Sequence, residues 1–241
     1  MKFGGTSVAN IDKIKNVAKI IVNQRKNADV VVVVSAMGKK TNELTQLAHQ
    51  ITDNPNLRDL DFLLSTGEMV SVALLSITLN SIGCPACCYN AQQIGIWTDD
   101  NFGDAKIKYI TATPIWHDLT KGIIPVVTGF QGETYKKEIT TLGREGSDTS
   151  AVAIAAAIGA DFCDIYTDVD GVYDADPNVD KNAKKLDFIQ YDDMLKMANN
   201  GAKVLHPRSV MTACQHNIPI RVRGTFTPED LGTLVAKQWQ R

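Results

Sequence analysis

The sequence has 241 residues, a length that one large α/β domain or two small domains could fill with an adequate hydrophobic core. It carries 25 Lys and Arg against 27 Asp and Glu, a formal net charge of −2, so no strong overall charge attracts it to nucleic acid or to an anionic membrane. This balance favours small molecules as partners, with neither nucleic acid nor membrane among them.

The cysteines and the absence of a leader pattern indicate a reducing, cytoplasmic location. There are five cysteines, an odd number, and the sequence shows no charged-then-apolar leader and no run of 18 or more apolar residues. Cys84 and Cys87 have the two-residue gap of a metal or redox pair, but no second pair or nearby His completes a zinc site. We therefore expect structural cysteines, no bound metal ion and a soluble protein.

The apolar pattern alternates between helical and strand-like segments. Apolar residues recur at helical spacing between residues 11 and 21, and a β-branched run at residues 30–34 is typical of a parallel strand buried on both faces. Further helices are predicted at residues 69–79, 151–158 and 204–214, and further strands at residues 123–127, 162–166 and 218–222. Residues 131–141 lack a helical period and predict a hairpin or a flap.

This alternation predicts one α/β domain over residues 1–241, with a mostly parallel sheet covered by helices on both sides. Such sheets bind ligands at the carboxyl ends of their strands, so the residues that follow each strand are the candidate site.

The opening segment KFGGTS places Lys2 beside Gly4 and Gly5, before a helix that begins near Asn10. Glycines let backbone N–H groups approach an anion, a helix N-terminus adds a favourable dipole, and a lysine supplies a point charge for phosphate. The spacing matches neither the Walker A nor the dinucleotide-binding motif, and Gly-Gly turns before helices are common. A phosphate loop and a plain turn are both compatible with it.

In two later segments the polar residues can be interpreted either as part of the candidate site or as helix caps. Ser35 and Thr41 lie where the strand at residues 30–34 passes into a helix, a place where turn and cap residues are common. Glu68 ends the segment Ser-Thr-Gly-Glu directly before the predicted helix at residues 69–79, so the pattern favours a cap that complements the helix dipole.

The segment TLGREGSD places the guanidinium of Arg144, Ser147 and the carboxylate of Asp148 before an Ala-rich helix. This combination suits an anionic substrate. The alternative is that Ser147 and Asp148 are only a cap and a first-turn acid.

An acidic loop follows the strand at residues 162–166. Its four aspartates could bind Mg²⁺, hydrogen-bond a ribose, or form successive turns. Lys203 stands near the start of a predicted helix, an unfavourable place for a cation unless a phosphate binds there. The four histidines show no metal-binding or hydrolase spacing, and we interpret them as structural or solvated.

Taken together, six segments resemble the aspartate kinases of the amino acid kinase superfamily. In order they are KFGGTS, VVVVSAMG, STGE, TLGREGSDTSA, YTDVDGVYDADP and GAKVLHPRSV. The resemblance extends from Lys2 to near Phe226. It implies a three-layer α/β/α sandwich with a mainly parallel central sheet, the amino acid kinase fold. It also implies transfer of the γ-phosphoryl group of ATP to the β-carboxylate of L-aspartate, toward lysine (through diaminopimelate), threonine and methionine.

The resemblance also implies roles for individual residues. It places the nucleotide against Lys2, Phe3, Gly4, Gly5, Thr167, Asp168, Tyr173, Asp176, Pro177 and Lys203. It places L-aspartate against Ser35, Thr41, Glu68, Phe130, Arg144 and Ser147. Arg144 would bind the α-carboxylate and Glu68 the α-ammonium, while Lys2, Asp148 and Lys203 would be catalytic and Mg²⁺ would arrive with ATP.

Three departures from the family pattern qualify this reading. Only Met1 precedes Lys2, which predicts a shortened first strand, and Glu145 stands where Gly is frequent. Many relatives also continue beyond the position of Arg241 into regulatory ACT domains, so a homodimer would have to form through the catalytic domain.

Other functions remain as alternatives. One is a kinase of the same superfamily that acts on another small acid or on a nucleotide, and another is a non-catalytic ATP-binding subunit. A dinucleotide-binding dehydrogenase would require a GxGxxG turn, which the opening glycines do not match.

Overall fold

A computed structural model describes residues 1–177, 179–202 and 204–238 of the chain. Over these residues the α-helices are α1 (Ile11–Arg25), α2 (Lys40–Ile51), α3 (Leu57–Ser81), α4 (Ala91–Ile94), α5 (Thr113–Thr120), α6 (Gly146–Ala157), α7 (Tyr191–Asn199) and α8 (Pro207–His216). A 3₁₀-helix, Gly5–Val8, precedes α1. The strands are β1 (Lys2–Phe3), β2 (Val32–Val34), β3 (Ala86–Tyr89), β4 (Ile96–Thr98), β5 (Ile107–Ile110), β6 (Ile124–Thr128), β7 (Gln131–Glu133), β8 (Ile139–Thr141), β9 (Cys163–Thr167), β10 (Val172–Tyr173), β11 (Lys185–Leu186), β12 (Phe188–Gln190), β13 (Ile220–Gly224) and β14 (Thr233–Ala236).

The central sheet has eight strands in the order β12-β14-β13-β9-β1-β2-β6-β3. The six strands from β13 to β3 are mutually parallel, β14 runs antiparallel to β13, and β12 runs parallel to β14. This is the mainly parallel sheet that the alternation predicts. The predicted hairpin at residues 131–141 is also confirmed, because β7 and β8 pair antiparallel within a separate four-stranded sheet.

Helices cover both faces of the central sheet because the side chains of a strand alternate between its faces. In β2, Val32 and Val34 belong to a buried cluster with apolar residues of α1 and α3. Val33, between them, belongs to a second cluster with residues of α6, α7 and α8. The continuous valine run is therefore buried on both sides, and the three-layer α/β/α prediction is confirmed.

The carboxyl ends of six neighbouring parallel strands meet at one edge of the sheet. Lys2 pairs with Val33 of β2 on one side and Ile165 of β9 on the other. In that register Gly4, which follows β1, lies beside Ser35 after β2 and Thr167 at the end of β9. This edge is where a parallel sheet binds its ligands.

Two predicted helix boundaries are wrong. The segment Ser65 to Glu68 does not cap a helix, because α3 begins at Leu57 and these residues lie in its interior. The last predicted helix begins at Pro207 instead of residue 204, with proline at the position where its missing N–H costs nothing. The remaining predicted helices and strands agree with the structure to within a few residues at each end.

By length and composition α3 could cross a membrane, since it has 25 residues and an 18-residue window of mean hydropathy 1.7. Half of that window is buried inside the fold. The buried face also carries the carboxylates of Asp61 and Glu68 and the hydroxyls of Ser65 and Ser71. A core helix of this kind passes the same test, so the length and hydropathy of α3 do not by themselves indicate a membrane span.

Candidate active site

The loop after β1 is built from backbone atoms in close contact. The N–H of Gly4 donates to the carbonyl of Tyr166 at 3.3 Å, and the carbonyl of Gly5 accepts from the N–H of Gly38 at 3.0 Å. A Cβ atom on Gly5 would lie 2.8 Å from the carbonyl oxygen of Ala36. Glycine at position 5 is therefore required for the loops after β1 and β2 to touch.

A buried ion pair lies beside these glycines. Lys2 Nζ is 2.6 Å from Oδ1 of Asp148, and the two residues are 8% and 7% exposed. Asp148 lies in the first turn of α6, where the helix dipole favours a carboxylate. A Cβ atom on Gly4 would come within 3.4 Å of Lys2 Nζ. The ammonium group is thus held at the glycine loop by a carboxylate that is itself fixed by a helix.

Glu68 is a buried carboxylate, and one of its two oxygens has no hydrogen-bond partner among the described residues. Its Oε1 accepts from the N–H of Ala36 at 3.1 Å, while Oε2 is buried without a hydrogen-bond partner among the described residues. Burial raises the pKa of Glu68 to about 7, and the hydrogen bonds that favour its ionised form oppose this only in part. Gly67 permits the close approach, because a Cβ there would lie 2.9 Å from the Cβ of Ala36. An unsatisfied buried carboxylate oxygen is a site for a cationic group.

The loop between β6 and β7 has a strained residue. Phe130 has φ of +70°, which is unusual for a bulky side chain. Its N–H donates to Ser150 Oγ at 3.1 Å and its carbonyl accepts from the N–H of Leu142 at 2.8 Å. A Cβ on the preceding Gly129 would lie 2.6 Å from Ser147 Oγ. Contacts with α6 and with the segment after β8 therefore hold Phe130 in this conformation.

These groups line one cleft of about 610 Å³ at the carboxyl edge of the sheet. The predicted residues found in its lining are Lys2, Gly4, Gly5, Ser35, Thr41, Glu68, Phe130, Arg144, Ser147 and Asp148. Arg144 is exposed, and no carboxylate in the described part of the chain forms an ion pair with it. The cleft therefore presents an unpaired guanidinium, an unsatisfied carboxylate and a lysine held by an acid.

A second group of residues predicted to contact the nucleotide begins at Thr167, the last residue of β9, and continues into the segment after that strand, on the other side of β1. Thr167 Oγ1 donates to Oδ1 of Asp168 at 3.0 Å, and the Thr167 carbonyl accepts from the N–H of Thr225 at 2.9 Å. Tyr173 donates to Oδ1 of Asp170 at 2.9 Å, and this hydrogen bond raises the pKa of Tyr173. Asp176 and Pro177 are exposed in the loop after β10. Thr167, Asp168, Tyr173, Asp176 and Pro177, the described residues of this set, do not line the 610 Å³ cleft.

Phe3 and Lys203 differ from the other residues predicted to contact the nucleotide. The ring of Phe3 is fully buried and stacks on Tyr166 with centroids 4.7 Å apart, so any contact of Phe3 with a nucleotide would have to come from its backbone. Only the backbone of Phe3 is near the carboxyl edge. Lys203, predicted as catalytic and nucleotide-binding, lies outside the described residues.

The sequence patterns do not predict one further acid, Asp61. It is 1% exposed, lines the cleft, and accepts hydrogen bonds from the N–H and hydroxyl of Thr141 at 2.8 and 2.6 Å and from the N–H of Gly103 at 2.9 Å. Burial raises the pKa of Asp61. Asp61 precedes Glu68 by two helical turns, a spacing that places both on one face once α3 is known to begin at Leu57.

Comparison with known proteins agrees with this arrangement. A sequence model described as the amino acid kinase family matches residues 1–224. The chain belongs to the amino acid kinase family.

Individual members of the amino acid kinase family are also similar. Aspartokinase 2 of Bacillus subtilis (strain 168) is 51% identical over 238 residues, which cover 98% of this chain and 58% of that protein. The crystal structure of aspartate kinase from Synechocystis superposes with a TM-score of 0.88 at 45% identity, covering 100% of this chain and 40% of the other. E. coli aspartokinase III in complex with aspartate and ADP gives a TM-score of 0.90 at 30% identity, covering 100% and 64%. This amino acid kinase chain thus spans less than two thirds of each of these relatives.

Proposed function

We propose that this chain carries an aspartate kinase site, with residues 1–241 as one catalytic domain. The site would transfer the γ-phosphoryl group of ATP to the β-carboxylate of L-aspartate and yield 4-phospho-L-aspartate and ADP. The observation that carries the proposal is the convergence of Glu68 and Arg144 in the cleft that also contains the Lys2–Asp148 pair. Its similarity to aspartokinases, one of them solved with aspartate and ADP, supports the same substrates.

Glu68 and Arg144 are complementary to the two α-groups of a free amino acid. The unsatisfied Oε2 of Glu68 suits the α-ammonium, and the guanidinium of Arg144 can bind the α-carboxylate through two parallel hydrogen bonds. Ser35, Thr41, Phe130 and Ser147 line the same cleft and would shape the pocket around the bound amino acid. Opposite charges at two fixed points orient the substrate, so that its β-carboxylate can be directed toward Lys2.

Phosphoryl transfer here needs charge neutralisation more than proton transfer. The attacking β-carboxylate has an ordinary pKa of about 4 and is already ionised at neutral pH, so no strong general base is required. One of its oxygens forms a bond to the γ-phosphorus while the bond from that phosphorus to the β–γ bridging oxygen breaks and releases ADP. Lys2 and the N–H groups near Gly4 and Gly5 would neutralise the charge on the transferred group, and Asp148 would hold Lys2 in place.

ATP would lie on the β9 side of Lys2. Thr167, Asp168, Tyr173, Asp176 and Pro177 follow β9 and would surround the nucleotide, with Lys203 on its phosphates. In the described part of the chain, no three His, Cys, Asp or Glu side chains converge in a geometry that holds a metal ion. Mg²⁺ would therefore be held mainly by phosphate oxygens and water, as is usual for this cation with nucleotides.

The biological setting is proposed from the same similarity. The product would serve the synthesis of lysine, through diaminopimelate, and of threonine and methionine, in the cytoplasm.

A homodimer through the catalytic domain is supported by a stripe of exposed apolar side chains on one face of α3, formed by Phe62, Val70 and Ile77. Light scattering on the purified chain and on a Phe62→Ser variant would test the dimer, which the variant should weaken.

The decisive experiment measures ATP turnover with L-aspartate and Mg²⁺, trapping the acyl phosphate as a hydroxamate. Glutamate, N-acetylglutamate and UMP serve as parallel substrates, and an Asp148→Asn variant serves as the matched inactive control. We expect ADP formation, accompanied by hydroxamate, with aspartate alone, because N-acetylglutamate has no ammonium for Glu68 and UMP has no α-carboxylate for Arg144. For UMP the readout is ADP formation, since its product UDP gives no hydroxamate. Turnover with another substrate would support a different kinase of the family, and ATP binding without any turnover would support a non-catalytic subunit.

A further inference from the structure

The backbone that leads into Arg144 is held from several sides. Arg144 itself is exposed and has no ion-pair partner among the described residues, so its direction depends on the residues that precede it. The N–H of Leu142 donates to the carbonyl of Phe130 at 2.8 Å, and the carbonyl of Thr141 accepts from the N–H of Ala105 at 2.9 Å. These contacts fix the strand end but leave the carbonyl of Leu142 for another donor.

That donor is Arg208 of α8. Its Nη1 donates to the carbonyl of Leu142 at 2.7 Å, and its Nη2 lies 2.6 Å from Oδ1 of Asp104. Asp104 in turn packs on Gly143, where a Cβ atom would lie 2.6 Å from the same carboxylate oxygen. One guanidinium therefore holds both the carbonyl before Gly143 and the carboxylate that covers it.

The opposite side of the segment is held by Asp61. Its Oδ2 accepts from the N–H groups of both Thr141 and Gly103, so the loop that carries Asp104 is fixed to α3 as well. The Thr141–Gly143 segment thus lies between a buried carboxylate of α3 and a guanidinium of α8.

The position of Arg208 is not explained by the stability of its own helix. It lies in the first turn of α8, which contains no acid, and a cation there opposes the helix dipole. Its side chain points to a carbonyl and a carboxylate more than 60 residues away in sequence instead.

We infer that Arg208 is a positioning residue for Arg144, and that it sets the affinity for the α-carboxylate of the amino acid substrate through Leu142 and Asp104. The inference rests on the proposed aspartate kinase function. Arg208 does not line the cleft, so it acts on substrate binding only through the segment that carries Arg144.

The test compares Arg208→Gln, Arg208→Lys and Asp104→Asn with the unaltered chain. Hydroxamate kinetics give KM for aspartate, KM for ATP and kcat, and calorimetry gives aspartate affinity in the presence of a non-hydrolysable ATP analogue. For Arg208→Gln we expect KM and Kd for aspartate to rise about tenfold, the usual effect of losing a charge-assisted hydrogen bond. KM for ATP and kcat should stay within about twofold. Arg208→Lys should recover part of the loss, because one ammonium cannot hold both acceptors.

Arg25→Gln is the matched control. Arg25 also donates to a backbone carbonyl, that of Gly122, but it lies outside the cleft lining. It should leave aspartate KM unchanged even if it lowers the melting temperature.

The outcomes separate the inference from the function on which it rests. An unaltered chain that neither binds nor phosphorylates aspartate overturns both. An active chain overturns the inference alone if Arg208→Gln leaves aspartate KM and Kd unchanged. The inference is also overturned if Arg208→Gln lowers kcat and the melting temperature and raises both KM values together, as a purely structural role would require.

Discussion

The carboxyl group of Glu68 is 2% exposed, and its folded-state pKa of about 7 lies above the ordinary value of 4.5. Between these two pH values the folded chain binds more protons at this residue than the unfolded chain does. The contribution of Glu68 to the free energy of unfolding therefore falls as the pH rises through that window. A bound ammonium group would reverse this preference, since it favours the ionised carboxylate.

Aspartate binding should consequently strengthen with pH. With a pKa of about 7, roughly one tenth of Glu68 is ionised at pH 6 and nine tenths at pH 8, so KM for aspartate should fall about tenfold across this range. Glu68→Gln should raise KM and flatten the profile. Initial-rate kinetics at fixed ionic strength would check this, and a pH-independent KM in the unaltered chain would contradict the role of Glu68.

Glu145 adopts a left-handed conformation, with φ of +56°, immediately before α6. Replacing it by glycine removes a steric cost of some 1–2 kcal/mol, which exceeds the contribution of one exposed acid at a helix N-terminus. Glu145→Gly should therefore raise the melting temperature. Lys136→Gly, at a position without a positive φ, is the control and should lower it, and equal effects of the two variants would count against the steric argument.

At the scale of elements, the spacing between α3 and the loop after β2 determines where Glu68 lies. A larger residue at Gly67 would meet the Cβ of Ala36, so Gly67→Val should push α3 outward and lower the free energy of unfolding by about 1–3 kcal/mol. Aspartate KM should rise in the same variant. Thr66→Val places the same side chain one residue earlier at an exposed position and should change neither quantity appreciably. Denaturant unfolding and kinetics on both variants provide the measurement.

The same helix shows why the sequence predicts some elements and not others. The valine run of β2 is predicted because a strand buried on both faces has only apolar residues. The start of α3 is not, because Ser65 and Glu68 are polar residues in a helix interior and resemble a cap. Their burial arises from tertiary contacts with Ala36 and Gln131, which no local pattern contains.

The residues of the candidate site also divide into those that a local pattern predicts and those that only tertiary contacts reveal. Lys2, Arg144 and Asp148 are predicted because they follow or precede recognisable strands and helices and belong to the segments that resemble aspartate kinases. Asp61 and Arg208 are missed because their partners, Thr141 and Leu142, are more than 60 residues distant in sequence. The left-handed conformation of Phe130 is likewise imposed by contacts with α6 and is invisible in the residue type.

At the scale of the whole molecule, the two buried clusters share the strands of one sheet. Leu75 of α3 belongs to one cluster and Ile154 of α6 to the other, and both are almost fully buried. Leu75→Ala and Ile154→Ala should each lower the free energy of unfolding by about 2–5 kcal/mol while a single transition is retained. Circular dichroism and tryptophan fluorescence should report the same midpoint. Separate transitions for the two probes would show that the two faces unfold independently.

The placement of β1 has a consequence for how the chain is made. Lys2 pairs with Val33 and with Ile165, so β1 is enclosed by strands that leave the ribosome at very different times. During translation β1 can meet β2 early, but its other edge stays open until β9 has emerged. Asp148, the partner of Lys2, also appears late. Nascent fragments that stop before β9 therefore lack the hydrogen bond from Gly4 to Tyr166, and they expose a sheet edge that chaperones would need to protect.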